Sequence, residues 1–311
     1  MARILVTGGG GFIGSNLARA LVERGDDVVV LDNFATGRRD NLVPIEGRFA
    51  LVVGDVRDRA AVSKATEGCD YVLHQAALPS VPRSVEAPLE SNSVNVDGTL
   101  SVLEVARNAG VRRVVFAASS AAYGETPILP KVETMPANPL SPYAASKLAG
   151  EHYLRAYHAC YGLETVSLRY FNVFGPYQNP ESQYAAVIPR FIVAALANRA
   201  PTIFGDGQQS RDFCHIDNAI EANIRAMTAP GAAGQVFNIA CGERITLLDV
   251  IGLLERIVGH PVRPDHQPAR AGDVKHSLAD ITLARTILGY TASVGFEAGL
   301  ARTVDWYRCA A

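Results

Sequence analysis

A tyrosine and a lysine, Tyr143 and Lys147, lie four positions apart in the segment SPYAASK. On a helix this spacing places both side chains on one face. Lowering the pKa of a tyrosine from about 10 to about 7 takes roughly 4 kcal/mol. An ammonium at about 5 Å, with an effective dielectric of about 20, supplies roughly 3 kcal/mol. The pair could therefore provide a phenolate base, although the spacing alone is equally typical of an exposed helix surface.

Two serines, Ser119 and Ser120, end an apolar run that predicts a strand over 112–120. The segment with Tyr143 follows as a predicted helix, and ligands of doubly wound sheets bind at the carboxyl edge of the strands. A phenol, an ammonium and a hydroxyl could meet there beside a nicotinamide ring. The phenolate would remove a proton from a substrate alcohol while its carbon loses hydride. A serine hydroxyl would hold the same oxygen or relay its proton.

The elements that must position these residues alternate between strand and helix. Ile13, Leu17 and Leu21 recur at a spacing of four and predict a helix that ends at Gly25. The predicted strands are RILVTG, 27–32, 49–55, about 71–74, 112–120 and 164–175. They are continuously apolar, which is typical of a parallel sheet covered on both faces. The pattern predicts the α/β class, with a Rossmann-type doubly wound parallel sheet.

The rhythm changes after Asn172, where a long loop rich in Pro, Gln and Asn begins. We therefore expect a cofactor-binding domain over 1–172, to which a segment near 212–241 returns. A smaller mixed α/β domain over 173–311 would bind the substrate above the carboxyl edge of the sheet.

A glycine-rich turn, TGGGGFIGSNLA, leaves the first strand and opens the first helix. It can be written as GxGxxG (Gly9, Gly11, Gly14) or GxxGxxG (Gly8, Gly11, Gly14). Either form permits close approach of a pyrophosphate to the backbone and the helix amino terminus. The position of the turn before a βαβ pattern predicts a dinucleotide site.

Acidic residues at two strand ends favour NAD as the dinucleotide. Asp32 lies 18 residues beyond Gly14, where a carboxylate accepts hydrogen bonds from the ribose and repels the 2′-phosphate of NADP. Arg38 and Arg39 weaken this argument slightly, but they fall well beyond the strand end. Asp55, which ends the third strand, could meet the adenine in the same way; for this residue an ordinary turn aspartate is equally expected.

The composition excludes several other classes of protein. The 311 residues carry a formal net charge of −2, so nucleic acid is not an expected partner. The five cysteines are scattered without CxxC spacing, which is typical of reduced cysteines in a cytoplasmic protein. The amino-terminal residues do not resemble a signal peptide, and no apolar run is long enough for a membrane span. No His/Cys cluster has the spacing of metal ligands.

The motifs as a set resemble the extended short-chain dehydrogenase/reductase family over nearly the whole chain. TGGGGFIG, LDN, GDV, HQAA, SVNVDGT, SPYAASK, LRYFNVFGP, GDGQQSRDF and RAGDV occur in the expected order. Within that family the chain is most similar to UDP-sugar 4-epimerases. The resemblance implies NAD-dependent epimerisation at C4 of a UDP-hexose through a 4-keto sugar, and a homodimer that forms through the YxxxK helix and the helix before it.

The resemblance also implies site residues. The catalytic set is Ser119, Tyr143 and Lys147. The cofactor set is Gly8, Gly11, Phe12, Ile13, Gly14, Asp32, Asn33, Asp55, Val56, Ala76, Ala77, Asn95, Tyr143, Lys147 and Tyr170. The substrate set is Ser80, Ser120, Asn172, Ala186, Val187, Thr202, Phe204, Arg211, Arg270 and Ser277, in which Arg211 and Arg270 would clamp the diphosphate.

Two details narrow the activity and leave alternatives open. Related dehydratases and decarboxylases carry an acid just after the active-site Ser/Thr, whereas SSAAYG has none between Ser119 and Tyr123. Ser277 matches a position where a small residue resembles enzymes that admit N-acetyl groups. UDP-GlcNAc/UDP-GalNAc, UDP-Glc/UDP-Gal or both are expected. A UDP-glucuronate epimerase, another NAD-dependent nucleotide-sugar enzyme and a non-catalytic nucleotide sensor remain as alternatives.

Overall fold

The computed structural model describes residues 1–180, 186–269 and 275–310. Within them the strands are, in chain order, β1 (Arg3–Thr7), β2 (Asp27–Asp32), β3 (Ala50–Val53), β4 (Tyr71–His74), β5 (Arg113–Ser119), β6 (Glu164–Tyr170), β7 (Val173–Phe174), β8 (Thr202–Phe204), β9 (Ser210–Arg211), β10 (Cys214–His215), β11 (Gln235–Ile239), β12 (Ile245–Thr246) and β13 (Asp265–Gln267). The helices are α1 (Phe12–Arg24), α2 (Arg59–Thr66), α3 (Val81–Glu86), α4 (Pro88–Asn92), α5 (Gly98–Asn108), α6 (Pro142–Tyr161), α7 (Val187–Leu196), α8 (Ile216–Thr228), α9 (Leu247–Val258) and α10 (Phe296–Ala310). Short 3-10 helices cover Arg39–Ile45 and Ser120–Tyr123, and π-helical turns cover Ser93–Asp97 and Ala284–Leu288.

Among the described residues, seven parallel strands form one sheet in the order β11-β6-β5-β4-β1-β2-β3. The six strands expected from the sequence are β1 to β6. The chain crosses from one side of β1 to the other after β3, which creates the switch point where doubly wound sheets bind ligands. β11 adds the seventh strand next to β6.

Alternate side chains of β1, β2, β4 and β5 enter two different cores, which explains their continuous apolar runs. Ile4 and Val6 of β1 pack into one core, whereas Leu5 packs into the other. In β2, Val28 and Val30 face the first core, and Val29 and Leu31 face the second. A strand buried on both faces has no polar side, so the period-two pattern disappears. β3 lies at the edge of the sheet with Leu51 and Val53 exposed, so the expectation of cover on both faces is wrong for this strand.

A third core lies outside the sheet. It is formed by the buried faces of α7, α9 and α10, with residues such as Phe191, Leu254 and Leu300. In contrast, Ala219 and Ala222 of α8 share the first core with β1. On this basis we keep, as a proposal, the division into a cofactor domain with a returning segment near 212–241 and a smaller substrate domain. No helix of the described residues has the length and apolar character to cross a membrane.

Candidate active site

The glycine turn between β1 and α1 leaves no room for side chains. Gly8 has a φ of +69°, and a Cβ there would lie 2.7 Å from the Cα of Ala76. A Cβ on Gly14 would lie 2.8 Å from the Cα of Gly9 and even closer to the carbonyl oxygen of Gly8. Gly11 precedes α1 and provides no side-chain cap, so the amides of Phe12 and the following residues remain for a ligand.

Asp32 joins the end of β2 to this turn. Its carboxylate accepts hydrogen bonds from the backbone N–H of Gly10 at 2.8 Å and of Phe34 at 2.7 Å. Burial raises the pKa of Asp32, and these two amides partly oppose the shift. Each oxygen keeps a further lone pair, so the carboxylate can still accept from ribose hydroxyls.

Asp55 is engaged by neighbouring side chains. Its carboxylate accepts from the Arg57 guanidinium at 2.7 and 2.8 Å and from the Asn33 amide at 2.9 Å. Arg57 lowers the pKa of Asp55 to about 2. The adenine role of Asp55 and the cofactor role of Asn33 stay predictions. Arg38 lies six positions beyond the end of β2, but its backbone N–H donates to the Gly10 carbonyl at 2.9 Å, so this residue returns to the glycine turn.

Ser119, Tyr143 and Lys147 converge at the carboxyl end of β5. Ser119 is the last residue of that strand, and its hydroxyl is hydrogen bonded to the phenol of Tyr143. Tyr143 lies in the first turn of α6, where its backbone N–H donates to the buried hydroxyl of Ser84 at 3.0 Å. Lys147, one turn later and 3% exposed, donates from Nζ to the Ala117 carbonyl at 2.7 Å.

The charges of this pair differ from the sequence-based expectation. Burial raises the pKa of Tyr143, and the hydrogen bond from Ser119 only partly opposes that rise. Burial also lowers the pKa of Lys147 to about 7, against the opposing effect of Glu151. The expectation that the lysine alone nearly brings the phenol to neutral pH is wrong, because it omitted desolvation of both groups.

A buried ion pair lies one turn beyond Lys147. Glu151, at the next position on the same face of α6, binds Arg169 of β6 with two bonds of 2.7 and 2.9 Å. The Arg169 guanidinium lies 4.6 Å from the ring centroid of Tyr123. The pair connects the helix of the catalytic residues rigidly to the sheet beneath it.

The residues after β4 are held by side chains behind them. The hydroxyl of Thr7 lies 2.7 Å from His74 Nδ1 and accepts the N–H of Ala76 at 3.2 Å. Asn95 accepts the N–H of Leu78 at 2.8 Å and donates to the hydroxyl of Ser146 on α6 at 3.0 Å. The segment with Ala76 and Ala77 is therefore anchored to both the glycine turn and α6. Val56 packs against Gly98 at the start of α5.

Tyr170 closes a ring of hydrogen bonds across three elements. Its hydroxyl accepts from Asn223 of α8 at 2.7 Å and donates to Gln75 at 3.4 Å, and Gln75 donates to Asn223 at 3.2 Å. Burial raises the pKa of Tyr170 to about 12. The sequence had indicated Tyr170 but neither of its partners, because 148 positions separate Gln75 from Asn223.

Three of the expected substrate residues lie together. Asn172 is exposed, and its side-chain amide donates to the Asp212 carbonyl at 3.2 Å and to the Ser277 hydroxyl at 3.4 Å. Arg211 donates to the carbonyls of Ser210 and Lys275 at 3.0 and 3.2 Å. Arg270 lies outside the described residues.

The surroundings of Arg211 are basic. Burial lowers the pKa of His276, and the nearby charges of Arg244, Lys275 and Arg211 lower it further. His276 Nδ1 lies 2.8 Å from the Ser210 hydroxyl, and the two groups share one hydrogen bond. The Asp206 carboxylate opposes these three charges at the same ring.

The remaining substrate predictions are distributed over other elements. Ser80 caps α3 by accepting the N–H of Arg83 at 3.1 Å, and Ser120 begins the 3-10 helix after Ser119. Ala186 and Val187 start α7, whereas Thr202 and Phe204 are the ends of β8. Their roles stay predictions.

A family model described as the NAD dependent epimerase/dehydratase family matches residues 4–240. The chain belongs to this family. The match confirms the resemblance found in the motifs, and with it NAD as the cofactor.

This family member has close relatives over nearly its full length. UDP-glucose 4-epimerase of Mycolicibacterium smegmatis is 40% identical over 98% of each chain. The structure of UDP-N-acetylglucosamine 4-epimerase from Methanobrevibacter ruminantium M1, in complex with UDP-N-acetylmuramic acid, is 39% identical, with a TM-score of 0.93 over 100% of this chain and 99% of that one. UDP-glucose 4-epimerase from Thermotoga maritima, with UDP-glucose, is 36% identical, with a TM-score of 0.94 over 99% of both chains. These similarities confirm the doubly wound α/β fold.

The geometry around the glycine turn of this epimerase/dehydratase family member fits NAD. The side-chain-free surface at Gly8 and Gly14 and the uncapped start of α1 suit a pyrophosphate. The buried carboxylate of Asp32 at the same turn suits ribose hydroxyls and disfavours an additional phosphate. The predicted catalytic residues Ser119, Tyr143 and Lys147 lie together at the carboxyl end of β5, the same edge of the sheet as the glycine turn.

Proposed function

We propose that this protein catalyses the NAD-dependent, reversible epimerisation of a UDP-hexose at C4. The observation that supports this most directly is the convergence of Ser119, Tyr143 and Lys147 at the carboxyl end of β5, in a chain whose family uses NAD. Asn172, which is exposed, and the partly buried Arg211 and Ser277 would hold the UDP-sugar above that edge.

The protein's own groups would handle the proton, and bound NAD supplies a reversible acceptor for hydride. The positive charge of bound oxidised NAD, added to that of Lys147, would favour the Tyr143 phenolate over the buried phenol. The phenolate would remove the proton of the sugar 4-hydroxyl, while the Ser119 hydroxyl donates a hydrogen bond to the same oxygen. The Lys147 ammonium stabilises the phenolate electrostatically. Arg211 retains the diphosphate while the 4-keto sugar turns its other face. The Tyr143 phenol then returns the proton to the oxygen as the alcohol re-forms.

The residues after Ser119 favour simple epimerisation over elimination. An elimination requires a second acid or base that removes a proton from a carbon next to the ketone. The positions between Ser119 and Tyr123 are Ser120, Ala121 and Ala122, which offer no carboxylate. This distinguishes the chain from the dehydratase half of its family.

Separate incubation with UDP-Glc, UDP-GlcNAc and UDP-GlcA, followed by NMR of the products, tests the proposal. A 4-epimer should form from at least one sugar without accumulation of NADH. The Tyr143→Phe variant should lose roughly 10²–10⁴-fold in rate, whereas Tyr161→Phe, at the exposed end of α6, should not. Formation of NADH would favour a net dehydrogenase, and a 4-epimer from UDP-GlcA alone would favour a glucuronate epimerase. Absence of any 4-epimer would overturn the proposal.

We also propose that UDP-GlcNAc and UDP-GalNAc are among the substrates. Ser277 lies beside Asn172, whose side-chain amide donates to its hydroxyl at 3.4 Å, and its side chain is small. A relative whose structure holds UDP-N-acetylmuramic acid supports acceptance of N-acetyl groups. UDP-Glc and UDP-Gal would fit the same site.

We further propose a homodimer that forms through α6 and the helices next to it. Val85 of α3, Leu89 of α4 and Tyr153 of α6 are large apolar side chains exposed to solvent. Exposed apolar groups on neighbouring helices are typical of a protein interface.

The cytoplasmic location expected from the cysteines stays a prediction.

A further inference from the structure

Asp212, next to Arg211, is a fully buried carboxylate bound by three backbone amides. Its exposed fraction is 0%. The N–H of Cys241 donates to one oxygen at 2.9 Å. The N–H groups of Gly242 and Ala279 donate to the other oxygen, each at 3.1 Å. One carboxylate therefore joins the strand of Arg211 to two segments that are distant in sequence.

The backbone of Asp212 contacts the other predicted substrate residues. Its carbonyl accepts the side-chain amide of Asn172 at 3.2 Å, and its N–H donates to the hydroxyl of Ser277 at 3.4 Å. Ala279, held by the carboxylate, lies two positions after Ser277. The positions of Asn172, Arg211 and Ser277 thus all depend on the segment that the Asp212 side chain anchors.

The three amides require a group that only accepts hydrogen bonds. An ionised carboxylate meets this requirement, whereas an asparagine would turn an NH₂ group toward at least one amide N–H. Burial raises the pKa of Asp212 to about 6, although the three amides oppose the shift. The titratable groups that face Asp212 are the exposed Glu243, the partly buried Cys241, and the buried Cys214 and Tyr290. The surroundings of Cys214 and of Tyr290 raise the pKa of each of these two groups.

We propose that Asp212 is a positioning residue of the UDP-sugar site: its carboxylate holds Arg211, Asn172 and Ser277 in the geometry that binds the diphosphate and the sugar. This rests on the proposed function, since it assumes that these residues bind a UDP-sugar. The Asp212 side chain is fully buried and bound by backbone amides, so it acts through the residues that it holds. Its loss should weaken substrate binding and leave NAD binding unchanged.

Calorimetric binding of UDP-glucose and UDP-GlcNAc to the wild type and to Asp212→Asn tests the proposal. We expect the Kd for the UDP-sugar to rise about 10-fold or more, in line with the loss of one or two buried hydrogen bonds. The KM should rise similarly, with a smaller change in kcat and an unchanged Kd for NAD. Asp70→Asn is the control. Asp70 also accepts a backbone N–H, that of Arg3 at 3.0 Å, but it lies at the amino-terminal ends of β1 and β4, away from the carboxyl edge of the sheet.

The pH dependence of wild-type binding gives a second measurement that needs no variant. The Kd for UDP-glucose should rise as the pH falls through about 6, where the Asp212 carboxylate gains a proton. Protonation of His276 acts in the opposite direction, because added positive charge favours the diphosphate. In Asp212→Asn the rise at low pH should disappear.

The outcomes separate this inference from the proposed function. Unchanged UDP-sugar binding in a folded Asp212→Asn protein would overturn the inference while leaving epimerisation intact. If the variant does not fold, the pH titration is repeated in a His276→Gln protein, which removes the opposing effect; a Kd that stays constant or falls through about pH 6 there overturns the inference. Weaker binding in the variant without any 4-epimer from the wild type would support Asp212 and overturn the epimerase proposal. Absence of binding of either UDP-sugar to the wild type would overturn both.

Discussion

Burial of the Lys147 ammonium sets function against stability at a single residue. The proposed chemistry needs the positive charge, but its neighbours are the Ala117 carbonyl and the face of Phe116, at 4.8 Å from the ring centroid. The pKa of about 7 in the fold lies below the ordinary 10.5, because desolvation disfavours the charged form. Folding therefore works against the protonation of this residue.

Replacement of Lys147 by Met should stabilise the protein while it abolishes turnover. Between about pH 7 and pH 10.5 the unfolded wild-type chain binds more protons than the folded one, so its unfolding free energy rises with pH. The advantage of Lys147→Met should be about 1–4 kcal/mol below pH 7 and should fade toward pH 10.5. Denaturant unfolding at several pH values measures it.

Lys64→Met on the exposed side of α2 is the control for that experiment. It removes the same charge from an exposed position, so it measures the effect of losing a lysine that is not buried. A Lys147→Met protein that is less stable than the wild type at neutral pH would show that the ammonium contributes favourable interactions that exceed its cost of burial.

Ser277→Tyr should separate the two classes of sugar. A tyrosine ring in place of the hydroxyl that accepts from Asn172 would fill the space proposed for the N-acetyl group. Turnover of UDP-GlcNAc should fall by at least about 10-fold, whereas UDP-Glc should be converted at a similar rate. Both rates are measured by NMR of the sugar products. Equal loss on both substrates would contradict the role of Ser277 in specificity.

At the residue scale, spacing indicated which groups lie together but not their charges. The four-residue interval places Tyr143 and Lys147 correctly, and the end of the fifth strand places Ser119. Whether a lysine is charged depends on its surroundings. Around Lys147 these are the residues of β5 and the Glu151 carboxylate, which is itself bound by Arg169 of β6. Asp212 gave no signal in the sequence for the same reason, since its three partners are amides of distant segments.

At the scale of elements, the first turn of α1 depends on the absence of a side chain at Gly14. Alanine is the better helix former by about 1 kcal/mol, so propensity alone favours Gly14→Ala. The added Cβ would meet the Gly8 carbonyl and lie 2.8 Å from the Gly9 Cα, both of which are backbone. We expect lower thermal stability and a large loss of NAD affinity, measured by calorimetry.

Gly252→Ala on α9 is the matched control for this prediction. A Cβ at Gly252 would meet no atom within 4 Å, so the same substitution should stabilise the protein by about 0.5–1 kcal/mol. Unchanged NAD binding and stability in Gly14→Ala would show that the glycine turn can move away from α1.

The sequence predicts elements best where local patterns determine them. β1 to β5 follow apolar runs, and α1 follows a spacing of four that ends at Gly25. β6 instead alternates polar and apolar residues and ends at Tyr170, so the predicted strand over 164–175 is too long. β11 is harder to predict, because QVFNI is short and joins the sheet only through β6, more than sixty residues earlier. The ring of Gln75, Tyr170 and Asn223 likewise exists only after β4, β6 and α8 have packed together.

At the scale of the whole molecule, the exposed apolar side chains are the clearest sign of an assembly. Leu89 is 85% exposed and Val85 64% exposed, on α4 and α3, which both pack beside α6. α6 also begins with Tyr143, whose N–H is held by Ser84 of α3. A partner on this surface would therefore rest on the same helices that orient the catalytic residues.

Leu89→Asp should convert the proposed homodimer into a monomer. A carboxylate at the centre of an apolar interface must lose its hydration, which costs several kcal/mol and exceeds what one interface side chain contributes. Sedimentation velocity should show the mass of one chain, and turnover should fall because α3 and α6 lose their support. Ile128→Asp is the control: it places the same charge on a side chain that is 62% exposed but lies outside these helices, so its mass should equal that of the wild type. A wild type that sediments as a monomer, or a Leu89→Asp protein that remains a dimer, would place the interface elsewhere or remove it.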